Sequence, residues 1–137
     1  MRTTRLIMSV LSTAAFIGVV LPGPVAAAEV DLAASLNGSS SYSAASGRSE
    51  YESDSNGRDV EVTVTHISRL SGKRVTVVVG GHTVGTMLVS STGRAHREWD
   101  TEHGQFVPVT SVGDRVKVRT AGGVLVASGR YHVEADD

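Results

Sequence analysis

From residue 30 onward, apolar side chains recur at every second position. Val30, Leu32, Ala34 and Leu36 alternate with Asp31, Ala33 and Ser35, and Val60, Val62 and Val64 with Asp59, Glu61 and Thr63. Val116 and Val118 alternate in the same way with Arg115, Lys117 and Arg119. A period of two sends one set of side chains to a core face and the other to water, so each run predicts a half-buried strand. Val dominates the apolar set, and its branched Cβ suits a pleated strand better than a helix. Only Ser43–Glu52 is compatible with a helix, and its Ser and Gly make it a poor one.

Glycine punctuates these runs. Gly80-Gly81 and Gly122-Gly123 each stand between two apolar segments and predict tight hairpin turns, where glycine supplies positive φ. Further breaks fall at Asn37-Gly38, Asn56-Gly57, Ser71-Gly72, Thr92-Gly93, His103-Gly104 and Val112-Gly113. Seven or eight short strands at this spacing predict an all-β domain, either an immunoglobulin-like antiparallel sandwich or a small barrel. The Ser-rich stretch 39–46 reads as a polar linker or mobile loop.

One internal repeat is visible. Gly72-Lys73-Arg74-Val75-Thr76-Val77 matches Gly113-Asp114-Arg115-Val116-Lys117-Val118 at an offset of 41 residues (113 − 72). Each copy runs into a glycine turn, a return strand and then Thr92-Gly93-Arg94 or Ser128-Gly129-Arg130. Two copies are too few for a solenoid, so the repeat predicts a duplicated hairpin packed into one domain.

The chain before residue 29 has another character. Arg2 and Arg5 precede an apolar stretch, Leu6 to Leu21, which Pro22-Gly23-Pro24 ends ahead of Ala26-Ala27-Ala28. This is the three-part layout of a secretory signal peptide, cleaved after Ala28. A spanning helix needs about 20 apolar residues, more than this run supplies. The expectation is a signal peptide over 1–28 and one β domain over 29–137, secreted and with no membrane attachment once the signal is removed.

Composition narrows the function classes. The full chain has 13 Lys+Arg against 14 Asp+Glu and no Cys. Cleavage removes Arg2 and Arg5 and no acid, leaving 11 cations against 14 carboxylates. That balance argues against a nucleic-acid partner, and the lack of Cys excludes disulfides, thiol catalysis and Cys-held metals. There is no G-x-S-x-G elbow, no phosphate loop and no H-E-x-x-H, so the chain reads as a non-catalytic, cofactor-free module.

Two local features carry candidate chemistry. His96, Glu98, Asp100 and Glu102 share one strand parity, with His103 just beyond, and such oxygens and imidazoles are ligands for a divalent cation. Same-face residues lie about 6.5–7 Å apart along a strand, so one ion needs help from a neighbouring strand. The other reading is a solvated strand face whose charges block edge pairing. Trp99, the only Trp, is either core or a contact for a carbohydrate or protein partner. His66, His82 and His132 are scattered and read as hydrogen-bonded structural residues. Arg48, Arg58, Arg94 and Arg130 each follow a glycine and form one basic rim if the turns cluster, or solvated pairs if they do not.

The segments Leu32-Ala33-Ala34-Ser35-Leu36-Asn37-Gly38, Ser46-Gly47-Arg48, Val84-Gly85-Thr86, Val107-Pro108 and Gly113-Asp114 together resemble a loose group of uncharacterised bacterial secreted β-sandwich modules. The opening is also distantly similar to the CHRD domain, a secreted β module. Where that family carries His-x-His, this chain has Thr65-His66-Ile67-Ser68. The resemblance implies a secreted β domain and no catalytic residue. The sequence as a whole predicts a monomeric, secreted binding or structural module for an extracellular protein or carbohydrate. Its rivals are a metal-binding protein or hydrolase using the His96–His103 strand, and an extracellular protease inhibitor.

Overall fold

In the computed structural model of the chain, residues 29–134 are described. The expected signal peptide, residues 1–28, lies outside them. Nine strands form, β1 (Val30–Gly38), β2 (Ser46–Asp54), β3 (Gly57–Thr65), β4 (Arg74–Val79), β5 (His82–Leu88), β6 (Ala95–Asp100), β7 (Arg115–Thr120), β8 (Leu125–Arg130) and β9 (His132–Val133). Among the described residues the only helical pieces are three short 3-10 turns.

Eight strands make one antiparallel sheet in the order β5-β4-β7-β8-β1-β2-β3-β6, with β9 pairing β1 off this path. The sheet curls until its edges, β5 and β6, come together, giving a nearly closed barrel. Of the two architectures the sequence allows, the barrel forms and the immunoglobulin-like sandwich does not. The physical reason is β1, which pairs β2 along its length on one side and reaches β8 and β9 on the other, so the ladder never breaks into two sheets.

That junction needs unusual local geometry. β8 pairs in register with β1 only at Asn37↔Ser128 and Gly38↔Ala127, and β9 resumes the pairing at Leu32↔Val133. A Cβ at Gly129 would lie 2.0 Å from the Ser35 carbonyl oxygen, so only glycine lets the strands cross this closely. Tyr131, between β8 and β9, is buried inside the barrel.

The β5/β6 seam closes without a ladder. Arg97 Nη1 donates to the Thr86 carbonyl at 2.9 Å, and the Trp99 indole lies where a Cβ at Gly85 would be, 2.6 Å from Nε1. The guanidinium of Arg97 in turn sits over that ring, 4.9 Å from its centroid. Side chains thus replace the missing backbone bonds.

The repeat becomes a structural symmetry. β4–β5 and β7–β8 are neighbouring hairpins, and β4 pairs β7 with Val77 opposite Val118, residues related by the offset of 41. A local twofold therefore passes between them. Both hairpins also shift register at the same place, between Val77 and Val78 and between Val118 and Arg119.

The alternating Val positions of β3, β4 and β7 fill the interior, with Val60, Val62, Val64, Val75, Val77, Val79, Val116 and Val118 all fully buried. The helix-compatible patch is strand from Ser46 onward. Its inward positions include Gly47 and Ser49, so the period of two is masked by small residues. The Ser-rich segment contains a capped turn tied to β8, where Ser39 N donates to Val126 O and Ser39 Oγ to Leu125 O. The connection from β6 to β7 crosses one barrel end. It buries Val107 and Thr110 but leaves Phe106, Val109 and Val112 exposed.

Candidate functional site

Each candidate metal ligand has a definite place on or after β6. His96, Glu98 and Asp100 do point outward together, but the strand separates them into two settings. His96 Nε2 lies 3.4 Å from Glu61 Oε2, and its Nδ1 lies 2.8 Å from Thr63 Oγ1. At the other end, Asp100 Oδ1 accepts the Glu102 N–H at 2.8 Å, and its Oδ2 lies 3.7 Å from His103 Nδ1. Asp100 thus acts as the cap of the turn Thr101–His103. Among the described residues, no group of three or more His, Asp or Glu side chains is arranged to hold a metal ion.

Trp99 is only 2% exposed. Of its two readings, core or partner contact, this burial fits the core one: the ring lies in the barrel seam, between Gly85 and Arg97. Alternation along β6 puts Trp99 on the same face as the core residue Ala95.

Register reveals charge patterns that linear order conceals. On the wall made by β1, β2, β3 and β6, Asp31, Glu52, Asp59 and Asp100 occupy one cross-strand row, of which Glu52 and Asp59 are buried. Glu50, Glu61 and Glu98 occupy the next. These four strands carry eight carboxylates against three arginines, Arg48, Arg58 and Arg97.

The other half of the barrel is reversed. β4, β5, β7 and β8, with the residue preceding β4, carry Lys73, Arg74, Arg115, Lys117, Arg119 and Arg130. Asp114, at the start of β7, is the single carboxylate there. Lys117 lies between Val78 on β4 and Ser128 on β8, and Arg115 lies opposite Arg130. Together they line a groove of about 520 Å³ that also takes in Thr83 and the bare backbone of Gly80 and Gly81. Arg130 Nη1 donates to Gly113 O at 2.9 Å, which holds that guanidinium at the groove end. None of Arg115, Lys117, Arg119 and Arg130 forms an ion pair among the described residues.

Of the two readings of the glycine-following arginines, one basic rim or solvated pairs, Arg48, Arg58 and Arg130 do not share one rim. Arg48 pairs with Glu50 and Glu134, Arg58 Nε donates to Val107 O, and Arg130 joins the cations of β7 instead. The signal that could have found the groove was the alternation Arg115, Lys117, Arg119 itself, read for its polar face.

Polar side chains also meet inside the barrel. Ser49 Oγ and Tyr131 Oη lie 2.6 Å apart, and the Tyr131 ring stands 6.5 Å from that of Tyr51 at a tilt of 58°. Burial pushes the Tyr131 phenol up to about 12, because the phenolate loses water; the Ser49 hydrogen bond opposes this in part. Tyr51 Oη accepts the Thr110 N–H at 3.3 Å, pinning the crossing loop to the core.

No family model matches the chain, and no curated protein is found to match it. No helix of the described residues is long and apolar enough to cross a membrane.

Proposed function

We propose that this protein is a secreted, non-catalytic β module that acts outside the cytoplasm by binding a partner on its outer surface. The observation that carries this reading is the contrast between its interior and its walls. Interior positions are occupied by Val, Trp and Tyr side chains packed against one another, as in a protein core. Charge, by contrast, is sorted on the outward-pointing faces of the strands into an acidic half, in which Glu52 and Asp59 are buried, and a basic half. Such a surface suits recognition of an extracellular glycan or protein, with complementarity of charge setting specificity. The leader-like segment before residue 29 supplies the export half of the proposal.

Two measurements test it. Expressed with residues 1–28 in a secreting bacterial host, the protein is expected outside the cytoplasm with the intact mass of residues 29–137. Full-length protein retained in cells overturns the export reading. Thermal unfolding of the 29–137 protein in EDTA, Ca²⁺, Mn²⁺ and Zn²⁺ is expected to give one midpoint. Binding to the folded state would raise it by RT ln(1 + [L]/Kd) in free energy. A cation-dependent rise lost in His96→Ala or Asp100→Ala would replace this reading with a metal-dependent one.

A further inference from the structure

Resting on the reading of an outer-surface binding module, we propose that the groove along β7 is the binding site and that its occupant is a linear anionic polysaccharide. The first reason is charge. Arg115, Lys117, Arg119 and Arg130 face one groove with Asp114 as the only lining carboxylate, and Asp114 Oδ2 already accepts the Ser111 N–H at 2.9 Å. A protein with excess carboxylates overall has gathered cations here, where none is engaged in an ion pair among the described residues.

Geometry selects an extended ligand. Arg115, Lys117 and Arg119 are successive same-face residues of one strand, so their Cα atoms are about 7 Å apart and the ladder spans about 13 Å. A compact anion meets one or two such cations; a chain with a charge on each repeat unit meets them all. The track also continues. Beyond Arg119, a second groove of about 510 Å³ runs past Thr120 and Ala121 and carries Lys73 and Arg74. Together the two grooves follow the whole of β7, about 20 Å of strand.

The lining distinguishes a glycan from other polyanions. No aromatic ring lines the groove of Arg115, Lys117, Arg119 and Arg130, and Tyr42, which borders the second groove, is covered by the Arg69 guanidinium 4.4 Å from its centroid, so unpaired nucleobases find no open stacking platform. The cations lie in a concave groove on the barrel side, and a flat bilayer meets convex tips better. A sugar chain instead finds the Thr83 hydroxyl, the apolar Val78 and the open backbone of Gly80 and Gly81, where an added Cβ at Gly81 would meet nothing within 4 Å. Guanidinium groups match carboxylates and sulfates with paired N–H donors.

Isothermal titration of the 29–137 protein with an oligogalacturonate longer than the groove tests this, using neutral dextran as the reference. Binding is expected at low salt, weakening steeply as salt rises, with no response to dextran. Lys117→Gln combined with Arg119→Gln is expected to weaken binding at least about tenfold, at an unchanged thermal midpoint, since charge-assisted hydrogen bonds of this kind are each worth about that factor. Arg94→Gln, away from the groove, is expected to bind as the parent does. Absence of binding, or equal binding by the double variant, overturns the proposal. So does tighter binding to a single-stranded oligonucleotide or to phosphatidylglycerol vesicles. Export is scored separately by mass, so an exported protein that ignores the oligogalacturonate refutes the groove and leaves the secreted-module reading standing.

Discussion

The two halves of the barrel share an interior and oppose each other outside. The β5-β4-β7-β8 half is two copies of one hairpin around a local twofold, with short strands and a cationic wall. The β1-β2-β3-β6 half has three nine-residue strands, no such symmetry, and rows of carboxylates. Valines fill both from inside. The difference teaches that a strand's two faces answer to different demands: burial fixes the inner face, and the outer face is free to carry a field. A field divided between opposite walls orients the molecule toward a charged partner more effectively than net charge does.

The strongest test of the shared interior is the seam that joins the halves. Trp99→Ala is expected to destabilise the protein by about 3–5 kcal/mol in urea unfolding, the range for emptying a large aromatic site. A loss under about 1 kcal/mol would mean that the seam does not depend on the indole. Gly85→Ala approaches the same contact from β5. Its Cβ would meet the indole at 2.6 Å, and overpacking of this kind costs about 1–3 kcal/mol.

Tyr131 tests the junction at the other boundary, where β8 gives way to β9. Tyr131→Phe leaves the Ser49 hydroxyl without its partner and is expected to cost about 1–2 kcal/mol. Its pH dependence has a definite sign. The folded pKa stands at about 12 against an ordinary 10, so the neutral phenol stabilises the fold fully below pH 10. Between pH 10 and 12 the unfolded chain ionises first, and stability falls by about 2–3 kcal/mol. Tyr131→Phe should flatten that alkaline decline, and an unchanged decline would assign it to other groups.

The smallest effects concern the walls. Glu98 lies directly opposite Glu61, and Arg115 directly opposite Arg130. Like charges across strands repel, so Glu98→Gln and Arg115→Gln should each stabilise by a few tenths of a kcal/mol at low salt, converging with the parent in high salt. If only one wall responds, the two halves are not electrostatic counterparts.

Strand content was legible in the sequence because alternation is local: Val60, Val62 and Val64 announce an inner face whatever they later pack against. The repeat and both glycine hairpins were legible for the same reason, since turn geometry depends on adjacent residues. Where inner positions are small, as at Gly47 and Ser49 in β2, the pattern faded. Trp99 reads in the sequence as either core or a partner contact, and its role in closing the barrel was hidden, because Gly85 belongs to another strand.

By itself, then, the sequence determined the strands, the turns, the duplicated hairpin and which side chains face inward, because each follows from periodicity and backbone preference over a few residues. Only the tertiary structure decided between sandwich and barrel. It alone paired β4 with β7, aligned the carboxylates of four strands in rows and set Arg130 beside Arg115. Those outcomes depend on register between distant segments, and one residue of slip would turn every outward charge inward.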